Sequence, residues 1–136
     1  MGRIAAIDFG LKRIGIAISD EGQVIAFPSA TVPGGPNAAM EVKKAFGDKK
    51  IELIILGLPL KLNGEEGSMT PIVRKFAIDL EALLHIPIHF VDERFSSKIA
   101  DTSLRTEMHM NRKKRSEVID VTTATMMLQS YLENKK

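Results

Sequence analysis

The sequence contains no cysteine. This absence excludes a disulfide scaffold, a thiolate metal site and a thiol nucleophile. We also expect no targeting leader, because the N-terminus enters a strand-like run at Arg3 without an apolar leader segment or a cleavage site. No apolar run approaches the roughly 18 residues that a membrane-spanning helix needs. We therefore expect a cytoplasmic protein with no membrane partner.

Charge of one sign is also in short supply. The chain has 136 residues, with 19 Lys and Arg against 17 Asp and Glu, for a formal net charge of +2. This balance excludes a protein that holds polyanions by bulk charge alone, but it permits a local basic patch. The length predicts one domain over residues 1–136, and the 44% of hydrophobic and 26% of charged residues are typical of a globular chain.

The hydrophobic pattern changes along the chain. Three apolar segments joined by short turns are typical of an antiparallel meander, and Pro28 in the third segment favours the edge of a sheet. Later apolar runs alternate with helical patterns, which is typical of parallel strands joined by right-handed crossovers. The predicted strands are 3–9, 13–19, 23–32, 51–58 and 87–91. The predicted helices are 37–46, 70–84, residue 96 or 97 to 108, and 117–132.

These elements predict an α/β fold with one mixed five-stranded sheet, in which three antiparallel strands are followed by two parallel strands, flanked by helices. The second strand carries isoleucines on one face and only small residues, Gly15, Ala17 and Ser19, on the other. The small face would let a helix pack closely. Thr70 and Pro71 predict a helix start, with Thr70 as the N-cap and Pro71 as the first helical residue.

Acidic residues follow two of the predicted strands. Asp8 lies near the C-terminal end of the first strand, and Asp92 and Glu93 come just past the end of the last. If these strands are parallel, their ends share one edge of the sheet, where open α/β sheets bind ligands. The pattern leaves two choices open: Asp8 also suits a turn, and either Asp92 or Glu93 would serve at this edge.

A further carboxylate, Asp120, lies on the last predicted helix. It shares one helical stripe with Ala124, Met127 and Tyr131, which is the expected core-facing side. A buried carboxylate without a partner is costly and normally finds a cation, a metal ion or a proton. The alternative is a carboxylate stabilised by the N-terminal end of the helix dipole.

Three carboxylates brought together from separate elements would repel one another unless cations lay between them. Mg²⁺ and Mn²⁺ prefer carboxylate and water ligands and often bridge to substrate phosphates. A zinc site is disfavoured because cysteine is absent and the three histidines are dispersed. They lie at a helix end, inside a strand and in a basic loop, at His85, His89 and His109. We therefore predict Mg²⁺ or Mn²⁺ as the cofactor.

A basic run at residues 112–115 lies in a predicted loop before the helix of Asp120. Such a run is ordinarily a solvated loop, but beside a carboxylate–metal centre it suits a phosphodiester backbone. Six Phe, one Tyr and no Trp argue against base stacking and for recognition of backbone or shape. The candidate phosphate-binding residues are Lys12, Arg13, Lys61, Arg74, Lys75, Arg94, Arg112, Lys113, Lys114 and Arg115.

Four motifs resemble, in order, those of the YqgF/RuvX family. The motifs are DFGLKRIGIA at 8–17, GLPL at 57–60 with Gly64 and Gly67, DERFSS at 92–97, and Ile119-Asp120 followed by LQSYL at 128–132. Members of this family are ribonuclease-H-like proteins described as Holliday junction resolvases and as pre-16S rRNA processing nucleases. The resemblance covers about residues 3–132.

The resemblance implies a ribonuclease-H-like fold and a divalent-metal site whose catalytic ligands are Asp8, Glu93 and Asp120. It selects Glu93 over Asp92, and strand alternation agrees that only one of the two reaches the metals. There are two departures from the family pattern. Leu11 stands where the family commonly has Thr, and Thr122-Thr123 replaces a small apolar pair after the last Asp.

The mechanism that follows is that of a two-metal nuclease. Asp8 would bridge two Mg²⁺ or Mn²⁺ ions, with Glu93 and Asp120 each holding one side, and water would attack the phosphorus in line. Arg13, Arg94 and the run 112–115 would steady flanking phosphates. The loop 59–69 would close over the site.

The sequence is compatible with several functions. The main hypothesis is hydrolysis of structured nucleic acid in pre-16S rRNA 5′-end processing, and hence in ribosome biogenesis. Holliday junction resolution in DNA recombination and repair is the alternative. A non-catalytic module would instead bind nucleic acid in transcription or ribosome assembly, with factors of those processes as partners. A nucleotide-phosphate enzyme is disfavoured, because actin-like ATPases and sugar kinases need two such domains.

The substrate cannot be chosen from the residues, because structured RNA and branched DNA are both folded polyanions. The oligomeric state is equally open between a monomer and a homodimer. A junction-cutting enzyme makes two symmetric cuts and is usually a dimer, whereas an RNA-trimming enzyme can act as a monomer.

Overall fold

The computed structural model describes residues 2–58, 67–92 and 112–134, with the backbone alone at residues 92 and 112–120. Within these ranges the chain forms five strands and three helices. The strands are β1 (Arg3–Asp8), β2 (Arg13–Ser19), β3 (Ala26–Pro33), β4 (Ile51–Leu58) and β5 (Ile88–Asp92). The helices are α1 (Ala38–Phe46), α2 (Thr70–Leu84) and α3 (Arg112–Asn134). No helix in these ranges has both the length and the apolar character that crossing a membrane requires.

The five strands form one sheet in the order β3-β2-β1-β4-β5. β2 pairs antiparallel with both β1 and β3, whereas β4 pairs parallel with both β1 and β5. The predicted mixed sheet, a meander followed by two parallel strands, is therefore confirmed. β3 lies at one edge, as Pro28 indicated, and Pro28 sits beside a register shift where it pairs with Ala17.

β1 is buried on both faces because helices cover both sides of the sheet. Ala5 and Ile7 belong to a hydrophobic cluster that includes α1 and α2. Ile4 and Ala6 belong to a second cluster that includes α3. Since successive side chains of a strand point to opposite faces, Asp8 is the next member of the Ile4–Ala6 series. The alternation therefore directs Asp8 to the α3 face.

The small residues of β2 let α3 pack closely on the sheet, as predicted. Ala17 is fully buried in the same cluster as Ala124 and Leu128 of α3. The isoleucines of β2 lie in the other cluster, against α1 and α2. Because Gly15 and Ala17 carry only a hydrogen and a methyl group on this face of β2, the backbone of α3 can approach the strand closely and no cavity is left.

α1 and α2 each bury one helical stripe against the opposite face of the sheet. Val42 of α1 and both Val73 and Leu80 of α2 are fully buried. α2 ends where His85 adopts a left-handed conformation with φ 57°, and the His85 N–H donates to the Glu81 carbonyl at 2.8 Å. The prediction that His85 lies at a helix end is confirmed.

The predicted start of the last helix is wrong. α3 begins at Arg112 rather than at residue 117, so the basic run 112–115 lies in the first turn of the helix and not in a loop. The prediction relied on apolar periodicity, which begins only after this run. Lys and Arg are themselves good helix formers, so the helix extends through them. The helix predicted from residue 96 or 97 to 108 lies outside the described residues.

Two further boundaries differ because of local hydrogen bonds. Met69, not Thr70, is the N-cap of α2, and the buried Thr70 hydroxyl instead accepts from the Gly67 N–H at 3.3 Å. β3 begins at Ala26 rather than at residue 23, because Gln23 has φ 58° and belongs to the turn after β2. The remaining described strand and helix ends agree with the prediction to within two residues.

Ser19 closes the end of β2 against β1. Its buried hydroxyl accepts from the Ile4 N–H at 2.9 Å and donates to the Asp20 carbonyl at 2.9 Å.

Replacement Ser19→Ala would leave the buried Ile4 N–H without this acceptor. We therefore expect a loss of about 1–3 kcal/mol in the free energy of unfolding, measured by urea denaturation. Ser29→Ala, at an exposed position of β3, is the matched control and should change stability by less than about 0.5 kcal/mol. Equal effects of the two substitutions would contradict this role.

Candidate active site

Asp8 is the last residue of β1, the central strand of the sheet. Its residue is only 8% exposed, so the carboxylate is largely withdrawn from water. It pairs in register with Gly15 of β2, which adds no side chain above it on that face. The geometry therefore places a nearly buried carboxyl group at the C-terminal end of a strand, on the face that α3 covers.

The direction of α3 follows from one side chain near its C-terminal end. Gln129 accepts from the Ala26 N–H at 2.9 Å and donates to the Val24 carbonyl at 3.3 Å. Ala26 pairs with Ser19, and that end of β2 lies beside the beginning of β1. Because the last turns of α3 are held at this end, the helix runs back across the sheet toward the end of β1 that carries Asp8.

The lengths of the two elements bring Asp120 level with Asp8. From Gln129 back to Asp120 the helix rises about 14 Å at about 1.5 Å per residue. On β1, Ile4 lies level with Ser19, because its N–H donates to the Ser19 hydroxyl. From Ile4 to Asp8 the strand extends about 13 Å at about 3.3 Å per residue. The backbone of Asp120 therefore lies near the level of Asp8, on the same face of the sheet.

The third predicted ligand is Glu93, with Asp92 as the alternative from the residues alone. β5 ends at Asp92, which pairs with Leu58, and so belongs to the strand rather than following it. Its C-terminal end shares an edge with those of β1 and β4, because all three strands are parallel. Val91 packs against the α3 cluster. Glu93 lies outside the described residues, so the choice between Asp92 and Glu93 stays a prediction.

A metal ion fits the part of this site that the structure describes. No cluster of three or more His, Asp or Glu side chains lies among the described side chains, which include Asp8 but neither Glu93 nor the Asp120 carboxylate. The Asp8 carboxylate is nevertheless an oxygen donor, and α3, which packs on the same face of the sheet, carries the Thr123 hydroxyl. Thr123 Oγ1 is fully buried and has no hydrogen-bond partner in the part of the chain that is described. A hydrated hard cation is the ligand that this chemistry suits.

The loop after Asp8 is held by close backbone contacts. The Gly34 N–H donates to the Lys12 carbonyl at 3.0 Å. A β-carbon built at Gly34 would lie 2.8 Å from the Gly10 carbonyl oxygen, and one at Gly10 would lie 2.5 Å from the Arg13 carbonyl oxygen. No residue with a side chain fits these contacts without a shift of backbone. Two glycines therefore fix the segment that joins Asp8 to Arg13.

The structure separates the predicted basic residues into groups. Lys12 is exposed in the loop after β1, and Arg13 begins β2 on the same face as Gly15 and Asp8. Arg74 lies on the opposite face, where its guanidinium stands 5.3 Å from the Phe90 ring centroid. Lys75, also on α2, forms an exposed ion pair with Asp79 at 3.2 Å. Arg112, Lys113, Lys114 and Arg115 lie in the first turn of α3, and Lys61 and Arg94 lie outside the described residues.

An open groove of about 800 Å³ lies between α2 and β5. Arg74, Ile78, His85 and Phe90 line it. Phe90 pairs with Leu56, which packs against α1 and α2, so the groove opens on the face away from Asp8. The groove is therefore not part of the candidate site at Asp8.

Asp20 is acidic and lies near one end of the sheet, but it belongs to a turn. The backbone N–H groups of Ile25 and Val24 hold the pKa of Asp20 below its ordinary value. They donate to Asp20 Oδ1 at 2.9 and 2.8 Å. Asp20 follows the end of β2 that lies far from Asp8, so this carboxylate stabilises the connection to β3 and takes no part in the site.

A meander extended by two parallel strands, with one helix across the acidic end of the central strand, defines a ribonuclease-H-like α/β protein. The family model of RuvX, described as "Holliday junction resolvase", matches residues 2–134. The chain therefore belongs to the RuvX family.

Relatives from several bacteria are similar over nearly the full chain. One from Protochlamydia amoebophila is 41% identical over 142 residues, covering 98% of this chain and 94% of its own. One from Endomicrobium trichonymphae is 39% identical over 135 residues, covering 98% of this chain and 96% of its own. Both bear the name "Putative pre-16S rRNA nuclease".

Solved structures show the same fold at low sequence identity. A fowlpox virus resolvase, in complex with Holliday junction DNA, has a TM-score of 0.60 at 14% identity and covers 98% of both chains. The RuvC of T. thermophilus, in complex with a Holliday junction substrate, has a TM-score of 0.58 at 12% identity, covering 99% of this chain and 96% of its own. The predicted ribonuclease-H-like fold is therefore confirmed.

In the sequence, Thr123 stands out only as part of the Thr122-Thr123 departure from the family pattern. The available signal was its position three residues after Asp120, on the side of the helix that carries Met127. What the pattern does not show is that the hydroxyl is fully buried without a partner among the described residues.

Gly34→Ala should disturb the loop that follows Asp8. The added methyl group would overlap the backbone of Gly10 and Leu11, and we expect a loss of about 1–3 kcal/mol in the free energy of unfolding. Gly22→Ala is the matched control, because the nearest atom there is a side-chain oxygen of Asp20 at 3.2 Å, which can move. Thermal unfolding of both variants measures the difference. A control variant destabilised as much as Gly34→Ala would refute the close contact.

Proposed function

We propose that this chain is a divalent-metal-dependent nuclease that hydrolyses phosphodiester bonds of structured nucleic acid. The observation that carries the proposal is the nearly buried Asp8 at the C-terminal end of β1, on the face and at the level where α3 carries Asp120. Membership of the RuvX family supports it. The names of the relatives support a nuclease as well.

The metal would be held by Asp8, Glu93 and Asp120, as Mg²⁺ or Mn²⁺ in one or two sites. When bound, such an ion supplies Lewis-acid stabilisation of the phosphate and lowers the pKa of water. The part of Asp8 is to present a carboxylate whose position is fixed by the β1 ladder and by the glycine contacts of the following loop. Low exposure strengthens the attraction of this carboxylate for a cation, because little water screens it.

Cationic side chains beside the site would hold the phosphodiester backbone. Arg13 starts β2 two residues before Gly15, the partner of Asp8, and so lies diagonal to Asp8 on one face. The run 112–115 occupies the first turn of α3, where the helix dipole disfavours cations. An anionic substrate would offset this repulsion. Arg74 and Lys75 lie on the other face and would meet only flanking parts of a large substrate.

Precursor 16S rRNA is the substrate class that we favour, because the relatives similar over nearly the whole chain bear the name of a pre-16S rRNA nuclease. The family model's description favours the second candidate, a Holliday junction. The deciding experiment is a cleavage panel of precursor rRNA and four-way junction DNA, each with Mg²⁺ and with Mn²⁺. Cleavage of the rRNA alone supports ribosome biogenesis, cleavage of the junction alone supports recombination, and binding without any cleavage contradicts a nuclease.

Asp8→Asn should lower the cleavage rate by at least about 100-fold. The amide keeps the shape of the side chain but loses the charge that holds the cation, and changes even outside the ligand shell of a metal typically cost 10–100-fold. The measurement is single-turnover cleavage in Mg²⁺ and in Mn²⁺. Asp79→Asn, on the exposed surface of α2, is the matched control and should cleave like the wild type. Full activity of Asp8→Asn in Mn²⁺ would show that the site assignment is wrong.

Arg13→Gln should weaken substrate binding more than catalysis. Loss of one phosphate contact is expected to raise KM and to lower the slope of log affinity against log salt by about 1. Titration of a labelled structured RNA at several salt concentrations measures this slope. Lys49→Gln removes the same charge just before the N-terminal end of β4, which is the end of the sheet away from Asp8, and should leave the slope unchanged. Equal slopes for wild type and Arg13→Gln would remove Arg13 from the substrate path.

A further inference from the structure

Thr123 differs from its neighbours on α3. Its side chain is fully buried, and its hydroxyl has no hydrogen-bond partner within the described ranges. Thr125, two residues on, shows the ordinary arrangement: its hydroxyl donates to the Val121 carbonyl at 2.8 Å. A threonine in a helix can reach the carbonyl four residues back in this way when it takes the matching χ1 rotamer. The Thr123 hydroxyl is therefore oriented elsewhere while excluded from water.

The position of Thr123 places it beside the acidic site. It lies three residues after Asp120, on the side of α3 that also buries Ala124 and Met127. From the Gln129 contact the helix rises about 9 Å to Thr123, which corresponds on β1 to a level between Ala6 and Asp8. The small residues of β2 on this face leave the helix close to the sheet at that level.

A buried hydroxyl without a partner is costly, because it has given up its hydrogen bonds to water. Valine has the same shape as threonine without the hydroxyl, so in a purely apolar environment valine would be the more stable residue. The buried Thr123 hydroxyl is accounted for if a bound hydrated cation gives it a hydrogen-bond partner. Mg²⁺ dehydrates reluctantly and keeps several water molecules, which are strong hydrogen-bond donors.

We propose that Thr123 is a positioning residue of the metal site, whose hydroxyl accepts a hydrogen bond from the hydration shell of the divalent cation held by Asp8 and Asp120. The inference rests on the proposed function, and it adds a residue outside the three carboxylates. Partners of this kind orient the ligands of a metal, and their removal typically lowers metal affinity 10–100-fold.

The test compares Thr123→Val with Thr123→Ser in the full chain. The valine variant should melt a few degrees above wild type without metal, because an unpaired buried hydroxyl is removed. Its Mg²⁺ affinity, measured calorimetrically without nucleic acid, should fall 10–100-fold, with a matching loss of cleavage at low Mg²⁺ that high Mg²⁺ restores. Thr123→Ser keeps the hydroxyl and should bind Mg²⁺ within about threefold of wild type.

Thr125→Val is the matched control, since it removes a hydroxyl that has a partner. We expect it to melt at or below the wild-type temperature and to bind Mg²⁺ normally. A Thr123→Val variant that melts below wild type, or that binds Mg²⁺ normally, overturns the role of Thr123. If Asp8→Asn then still loses Mg²⁺ binding, the proposed function stands without Thr123. Absence of Mg²⁺ binding by the wild type would instead refute the proposed function itself.

Discussion

The alternation of side chains along β1 is the constraint on which the site depends. The strand is covered on both faces, so each of its side chains lies either in the α1–α2 cluster or in the α3 cluster. Ile4 and Ala6 lie in the α3 cluster, and because side chains alternate along a strand, Asp8 lies on the same side. A shift of one residue in the pairing of β1 would exchange Asp8 with Ile7, burying the carboxylate among the aliphatic residues of the other cluster. The same hydrophobic burial that stabilises the sheet therefore aims the carboxylate.

Much of the fold was predictable because its signals are local. Isoleucines at every second position of β2 and the continuous apolar run of β4 identify strands by period and length alone. The placement of Pro28 at an edge also follows from its missing N–H. The start of α3 was not predictable in this way. Its first turn consists of exposed-type residues that fit a helix and a loop equally well, and only the backbone of the folded chain decides between them.

The candidate site was predictable only in part. The position of Asp8 at the end of a strand can be predicted from the local sequence. Its position on the α3 face follows from the alternation of side chains along β1 once the sheet order is known. Arg74 shows where such reasoning fails: its spacing in α2 does not reveal which face of the sheet the helix covers, and the structure sets it over Phe90, away from Asp8. The burial of Thr123 is also beyond the pattern. It depends on how closely α3 approaches the small residues of β2.

The Gln129 contact has a consequence for how the site assembles. The hydrogen bond from Ala26 to Gln129 joins residues 103 positions apart. Closing so long a loop costs conformational entropy, which the packing of α3 on the sheet offsets. Because α3 covers the face of β1 that carries Asp8, the candidate site depends on a contact between the two ends of the chain, and a change near Gln129 could disturb it from a distance.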